Sequence, residues 1–184
     1  MTCYAHRYHP CVRSLPDGLT LRPLDASTEI EPLTDLLHNA YRELADMGLR
    51  YVATHQTPDV TADRIEGGEC FVVASDDLLV GTVTFHDAAH TGGCEWYDRP
   101  DVSSLHQFGV DPAWRGRGIG RALEQHVASR AKETEATELA LDTAQPAARL
   151  IAMYTRWGYR PVQEVSWSAV NYTSVILSRE LDNV

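Results

Sequence analysis

The chain has 184 residues, 16 of them basic and 26 acidic, for a formal net charge of −10 at neutral pH. That length suits one compact domain, and 43% hydrophobic residues suffice for its core, which excludes disorder over the whole chain. The acidic balance argues against a generic grip on nucleic acid, and no apolar run approaches the roughly 18 residues that cross a bilayer.

The first residues carry His6, Arg7, His9 and Pro10 where an export signal would be apolar, so a cytoplasmic protein is expected. Residues 1–16 read as an N-terminal tail and 17–184 as the domain. The cysteines Cys3, Cys11, Cys70 and Cys94 form no C-x-x-C pair and read as reduced thiols. Cys3, His6, His9 and Cys11 could all ligate zinc, but their spacing matches no standard ligand pair, so no metal is expected.

Residues 19–24 read as a first strand. Thr28 and Glu31 have the T-x-x-E spacing of a capping box. Behind them Ile30, Leu33, Leu37, Ala40, Tyr41 and Leu44 recur at helical spacing up to a stop at Gly48. Residues 48–58 read as a loop and 60–65 as a short helix. Two β-rich runs, 70–74 and 78–85, join through Ser75-Asp76-Asp77 as a hairpin. The Gly-, His- and acid-rich stretch 87–101 exceeds ordinary hairpin connections and is a candidate functional loop. Residues 104–110 read as a strand stopped by Asp111-Pro112.

An arginine- and glycine-rich turn follows, then a helix face of Ile119, Ala122, Leu123, His126 and Val127. Leu139 and Leu141 alternate with polar neighbours as a short strand. Leu150, Met153, Tyr154 and Trp157 mark another helix, closed by Gly158. Residues 160–167 and 172–181 read as two final strands. The order β-α-(α)-β-β-β-α-β-α-β-β predicts a single α/β (α+β) domain, a mixed sheet with helices packed on it.

The stretch that carries chemistry runs from Phe108 to Arg121. A strand ends, a turn holds Gly116, Gly118 and Gly120, and a helix begins. Glycine admits positive φ and close backbone approach, and a helix start supplies free N–H groups and a positive dipole end. Together they suit a pyrophosphate. Arg115, Arg117 and Arg121 concentrate positive charge in an acidic chain, which a bound polyanion would explain. A Walker loop fails because no Lys-Ser or Lys-Thr follows the glycines. A dinucleotide fingerprint fails because Arg121 stands at its third glycine position. The remaining alternative is a tight turn with solvated arginines.

Here the sequence resembles a known family. Arg115-x-x-Gly118-x-Gly120, directly after Phe108-Gly109-Val110-Asp111-Pro112, is similar to the acyl-CoA pyrophosphate motif of the GNAT superfamily of N-acetyltransferases. Tyr154-Thr155-Arg156-Trp157-Gly158-Tyr159 resembles the family's tyrosine followed by a Gly-aromatic pair, and the element order fits most of the chain. One departure is Ala147, where many members carry asparagine.

The resemblance implies a mixed, mostly antiparallel sheet of about seven strands flanked by helices. It implies acetyl-CoA as co-substrate, held by the backbone of Phe108, Gly109 and Val110 and by the turn of Arg115, Gly116, Arg117, Gly118, Ile119, Gly120 and Arg121. It implies an acetyl group passed to a primary amine, small-molecule or peptide, with Tyr154 assisting the departing thiolate. An amine with a lysine-like pKa is neutral in only about one molecule in 2500 at pH 7, a cost of roughly 4.6 kcal/mol, so a base is useful. Some members place a glutamate four residues before the Phe108 position, where this chain has Ser104. His106, sharing strand parity with Phe108 and Val110, is the candidate base, and Glu95 is a second. Glu95 and Trp96, with Tyr97, Asp98 and Asp101, would suit an ammonium group. The competing reading is a catalytically silent acyl-CoA-binding regulatory domain of the same fold. Dimers are common in the family, although no interface is legible.

Overall fold

A computed structural model describes residues 15–182. The expected tail lies almost wholly outside the described residues, and Cys3, His6, His9 and Cys11, the side chains weighed as possible zinc ligands, lie outside them altogether. Among the described residues no three His, Cys, Asp or Glu side chains gather as a metal site, and no helix is long and apolar enough to cross a membrane.

The elements are β1 (Leu19–Pro23), α1 (Ile30–Asp46), α2 (Pro58–Ile65), β2 (Glu69–Ser75), β3 (Leu78–His86), β4 (Val102–Val110), α3 (Ile119–Glu133), β5 (Glu138–Ala144), α4 (Ala148–Arg156), β6 (Arg160–Ser166) and β7 (Thr173–Glu180). Short 3-10 turns at Val52–Thr54 and Pro112–Trp114 interrupt the loops. One seven-stranded sheet runs in the order β1-β2-β3-β4-β5-β7-β6. Every pairing is antiparallel except β4 with β5.

Helix α1 forms because Leu33, Leu36, Leu37 and Ala40 fall on one face and are all buried. They meet Cys70, Val72 and Ala74 of β2. Burying such side chains stabilises by roughly 1.5–3 kcal/mol each. The capping box is not used. Glu29, rather than Thr28, occupies the N-cap, and its carboxylate is held by Arg22 at 2.8 and 2.5 Å and by the Asp25 N–H at 2.8 Å. Gly48 ends the helix with φ +79°, as its position in the sequence suggested.

The opposite side of the sheet carries α3 and α4. Phe71 and Val73, alternating with the α1-facing residues of β2, pack with Ile119, Leu123 and Val127 of α3 and with Tyr154 of α4. On the α1 side, β5 and β7 are covered by the 87–101 loop instead of a helix, through Cys94, Tyr97, Val102, Ala140 and Ile176. A cavity remains between that loop and α1.

One buried charge cluster braces the α3 side. Glu124 is fully buried and accepts from Arg121 Nη1 at 2.9 Å, Arg179 Nε at 2.9 Å and the Tyr159 hydroxyl at 3.1 Å. Removing the carboxylate strands the Arg179 guanidinium in a low-dielectric setting. Glu124→Ala should therefore cost about 3 kcal/mol, read as a lowered urea midpoint. An unchanged midpoint would show that the cluster contributes nothing net.

Candidate functional site

The parallel pairing of β4 with β5 covers only Val102–Ser104 against Glu138–Ala140. Beyond it the strands splay. The cause lies partly in β4, where the register against β3 shifts between Thr82 and Thr84, so Gln107 and Phe108 oppose the single residue Val83. Gln107 takes φ +46°, unusual for a side chain with a Cβ, and makes the bulge. Its side chain is anchored by Gln56 Nε2 at 2.8 Å.

Past the bulge the backbone orientation can be read from its partners. The Asp111 N–H bonds Val80 C=O at 3.0 Å, so Asp111 faces β3. The Phe108 C=O accepts from the Tyr41 hydroxyl at 3.1 Å, and the Val110 C=O accepts from Arg115 Nε at 3.3 Å. Phe108 and Val110 thus point their peptide groups away from β3, onto the open edge of the splay.

Below that edge the chain turns into α3. Gly116 and Gly118 have φ +78° and +86°, and a Cβ at either would stand in open space. Gly118 is the N-cap and supplies no side-chain cap. The first helical bond runs from Ala122 N–H to Gly118 C=O, which leaves the N–H groups of Ile119, Gly120 and Arg121 without intrahelical acceptors. A cavity of about 620 Å³ lies over this turn and reaches along β4 to Tyr154. Open glycines, uncapped N–H groups and a cavity of this size fit a phosphate-bearing pantetheine thioester.

The arginines of the turn are less free than the sequence suggests. Arg115 straps the turn to α1, bonding Glu43 Oε2 and the Ala40 C=O, each at 2.7 Å. Arg117 stacks on Trp114 at 4.5 Å and Arg121 pairs with Glu124 at 2.9 Å. Arg149 and Arg156 also line this cavity, which the motif gave no reason to expect.

The second cavity, about 400 Å³, opens on the α1 side. The two cavities share Tyr41, Tyr51, Phe108, Asp142 and Tyr154. Tyr154 is 6% exposed, and burial holds its hydroxyl proton well beyond the ordinary tyrosine range. Asp142 was not singled out from the sequence, where it is one polar residue in a buried strand. Its Oδ2 accepts from Ser174 Oγ at 2.8 Å and Trp167 Nε1 at 3.3 Å, while among the described residues no side chain bonds Oδ1. Burial pushes the Asp142 carboxyl above its usual range, against the opposing pull of those two hydrogen bonds. The wall beside it carries aromatic rings, with those of Tyr51 and Tyr172 4.7 Å apart.

Three sequence expectations need correction. His106 lines the second cavity beside Gln107 and Phe108, but not through the strand parity expected with Phe108 and Val110, because the bulge at Gln107 resets the alternation. Leu105, Phe108 and Val110 belong to the α3-side core, whereas His106 Nε2 lies 2.8 Å from Ser104 Oγ. That serine is 2.8 Å from Thr91 Oγ1, which donates to the Asp87 carbonyl at 2.8 Å. The chain of donors leaves Nε2 protonated and Nδ1 as the acceptor. Burial and the neighbouring His86 lower the His106 pKa to about 3. At pH 7 a group with that pKa holds a proton in only about one molecule in ten thousand, so His106 is a poor base for an ammonium. Glu95 is exposed and does not line the cavity. Trp96 lies under Arg99 at 4.2 Å and packs beneath the loop, while its neighbour Tyr97 reaches the cavity wall.

Comparison with known proteins places this geometry. Residues 31–159 match the model of the Acetyltransferase (GNAT) family. The chain is 29% identical over 151 residues to the mycothiol acetyltransferase of Kytococcus sedentarius, aligning 79% of this chain with 46% of that protein, so it spans about half of that relative's length. A GNAT family acetyltransferase from Elizabethkingia anophelis, solved with acetyl-CoA bound, superposes with a TM-score of 0.62 at 16% identity, covering 90% of this chain and 100% of that one. The ribosomal-protein-S18-alanine N-acetyltransferase of Escherichia coli superposes with a TM-score of 0.65 at 16% identity, over 90% and 96% of the two chains. These two share the fold. With the family model matched across most of the domain, on top of the splayed strands and the open glycine turn, the chain belongs to the GNAT acetyltransferase family.

Proposed function

We propose that the protein transfers an acetyl group from acetyl-CoA to a primary amine by direct attack, with Asp142 receiving the amine and Tyr154 meeting the thiolate. The observation that carries this reading is the junction of the two cavities. The one over the glycine turn suits the cofactor, the other suits the acceptor, and Asp142 and Tyr154 line both.

Acetyl-CoA supplies an activated acyl group whose diphosphate the N–H groups of Ile119, Gly120 and Arg121 would hold. Arg149 and Arg156 add charge beside it, and Phe108, Gly109 and Val110 present the strand along which the pantetheine arm would lie. The open-edge N–H groups of Phe108 and Val110 suit the negative charge that develops on the carbonyl oxygen. Asp142 Oδ1 anchors the ammonium, with the Tyr51, Trp167 and Tyr172 rings adding cation–π attraction. Its raised pKa lets it take one proton from the ammonium and pass it to solvent. The nitrogen loses its second proton as the C–N bond forms and the C–S bond breaks, and the thiolate takes one up.

Tyr154 acts as a hydrogen-bond donor. Its proton is hard to remove, but the thiolate is desolvated in the same cavity, which raises its own pKa and narrows the gap. Tyr154→Phe should lower kcat by about tenfold or more while acetyl-CoA affinity stays within about threefold. Unchanged kcat would return Tyr154 to a packing role. The reaction itself is tested by free-thiol release and mass-spectrometric acetylation over a panel of amines. Acetyl-CoA binding without turnover of any amine would favour the silent acyl-CoA-binding domain.

A further inference from the structure

The acceptor cavity contains one charge that the mechanism leaves unused. Arg64, in the last turn of α2, lines this cavity. Seven other arginines, among them Arg115, Arg121 and Arg179, form salt bridges, but Arg64 forms none among the described residues. Its Nε is sealed from solvent and has no hydrogen-bond partner. A guanidinium with no acceptor is costly to hold at a cavity wall unless an anion visits it.

The same wall has further unmet donors. Tyr97 is 2% exposed and Gln107 is 3% exposed, and neither the Tyr97 hydroxyl nor Gln107 Nε2 has a partner. These unmet donors stand beside one unmet acceptor, Gln56 Oε1 on the partner of Gln107, so the charge of the Arg64 guanidinium is what suits this wall to a carboxylate. Arg64 is also positioned to act across the cavity. Its field reaches Tyr41 on α1, His106 on β4, Asp142 on β5 and Tyr172 before β7. Arg64 and Asp142 feel each other without pairing, so opposite charges stand apart in one cavity of about 400 Å³. Between them the lining is apolar or aromatic, with Val52, Ala53, Leu105 and Trp167.

We infer that the acceptor is a zwitterion, an amino acid or short peptide with an apolar or aromatic body, whose carboxylate is gripped by Arg64 while Asp142 holds its ammonium. This rests on the acetyltransferase reading and adds the substrate class. Arg64 is then a specificity-determining residue that holds the acceptor's carboxylate, and so sets which amines reach Asp142. An amine lacking the carboxylate would leave the guanidinium unpaired and bind more weakly.

The experiment uses matched pairs: L-phenylalanine against phenethylamine, and L-leucine against 3-methylbutylamine, with thiol release as the readout. In the native protein each acid should exceed its decarboxylated analogue by about tenfold or more in kcat/KM. Arg64→Gln should bring the ratio close to one through KM, leaving acetyl-CoA affinity unchanged. Arg64→Lys should restore part of the preference. Equal use of acid and analogue by the native protein, or an undiminished preference in Arg64→Gln, would overturn the inference. A separate arm does not need turnover: calorimetric binding of 3-phenylpropionate to the protein saturated with CoA. Binding about tenfold tighter to the native protein than to Arg64→Gln supports the anion site even if no amine is acetylated. Equal binding, or none, contradicts it and leaves the acetyltransferase reading to stand or fall on the amine panel.

Discussion

Gly118→Val should weaken acetyl-CoA binding by about a hundredfold, equivalent to roughly 2.7 kcal/mol, while the protein still folds. Two effects combine at this position. The backbone sits at φ +86°, where an L side chain costs roughly 1–2 kcal/mol and a β-branched one more. The added atoms would also occupy the open space that the diphosphate needs beside the N–H groups of α3. The strain term alone lowers stability modestly and is read from the thermal midpoint. The binding loss is read separately by titration. Gly120→Leu tests the same cradle without backbone strain, because Gly120 has no positive φ and a Cβ there meets Phe108 at 3.5 Å and Val110 at 3.6 Å, ordinary contacts. Its longer side chain must then project into the cavity. Native affinity in both variants would place the diphosphate elsewhere.

Asp142→Asn should reduce kcat/KM by about a hundredfold or more, with acetyl-CoA affinity unchanged. The amide can still accept from Ser174 and Trp167, so the site keeps its shape and loses only its charge and basicity. Two pH signatures separate this from a structural defect. Native activity should rise with pH as Asp142 ionises, and the variant should lack that limb. Stability should move the other way. A carboxyl whose folded pKa lies above its unfolded value of about 3.9 favours folding most when protonated, below that unfolded pKa, and the advantage disappears as pH rises through the folded pKa. The native protein therefore carries a penalty at pH 7 that the neutral amide avoids. Asp142→Asn should melt at or above the native temperature at pH 7, with the difference fading as the pH falls towards 4. A variant that is both inactive and less stable at pH 7 would mark Asp142 as a structural residue.

Local patterns in the sequence carried most of the fold. Leu33, Leu37 and Ala40 announced α1, Leu150, Met153 and Tyr154 announced α4, and Asp111-Pro112 ended β4 where expected. The glycine turn was legible because positive φ restricts the residue choice. What escaped was set by tertiary contacts. The N-cap of α1 moved to Glu29 because Arg22, from β1, holds its carboxylate. The bulge at Gln107 is invisible in the sequence, since no glycine marks it, and it broke the strand parity expected between His106 and Phe108, although His106 still lines the α1-side cavity. The acid loop 87–101 does wall the cavity on the α1 side, but through Gly92 and Tyr97 and not through Glu95 or Trp96, because loop geometry has no fixed period. Asp142 was hidden by reading β5 for its leucines. A charged residue inside a buried strand was the available signal, since such a group is retained only where partners or chemistry sustain it. Arg64, Arg149 and Arg156 gave no local sign, as an arginine's freedom from ion pairing depends on what the fold brings near it.

The central claim is that the thioester lies at the junction of the two cavities with its diphosphate on the start of α3. A crystal structure with CoA measures this directly. The diphosphate should lie against the N–H groups of Ile119, Gly120 and Arg121, and the thiol sulfur within hydrogen-bond reach of the Tyr154 hydroxyl, on the same side as Asp142. A diphosphate bound away from that turn, or a sulfur remote from both Tyr154 and Asp142, would contradict it.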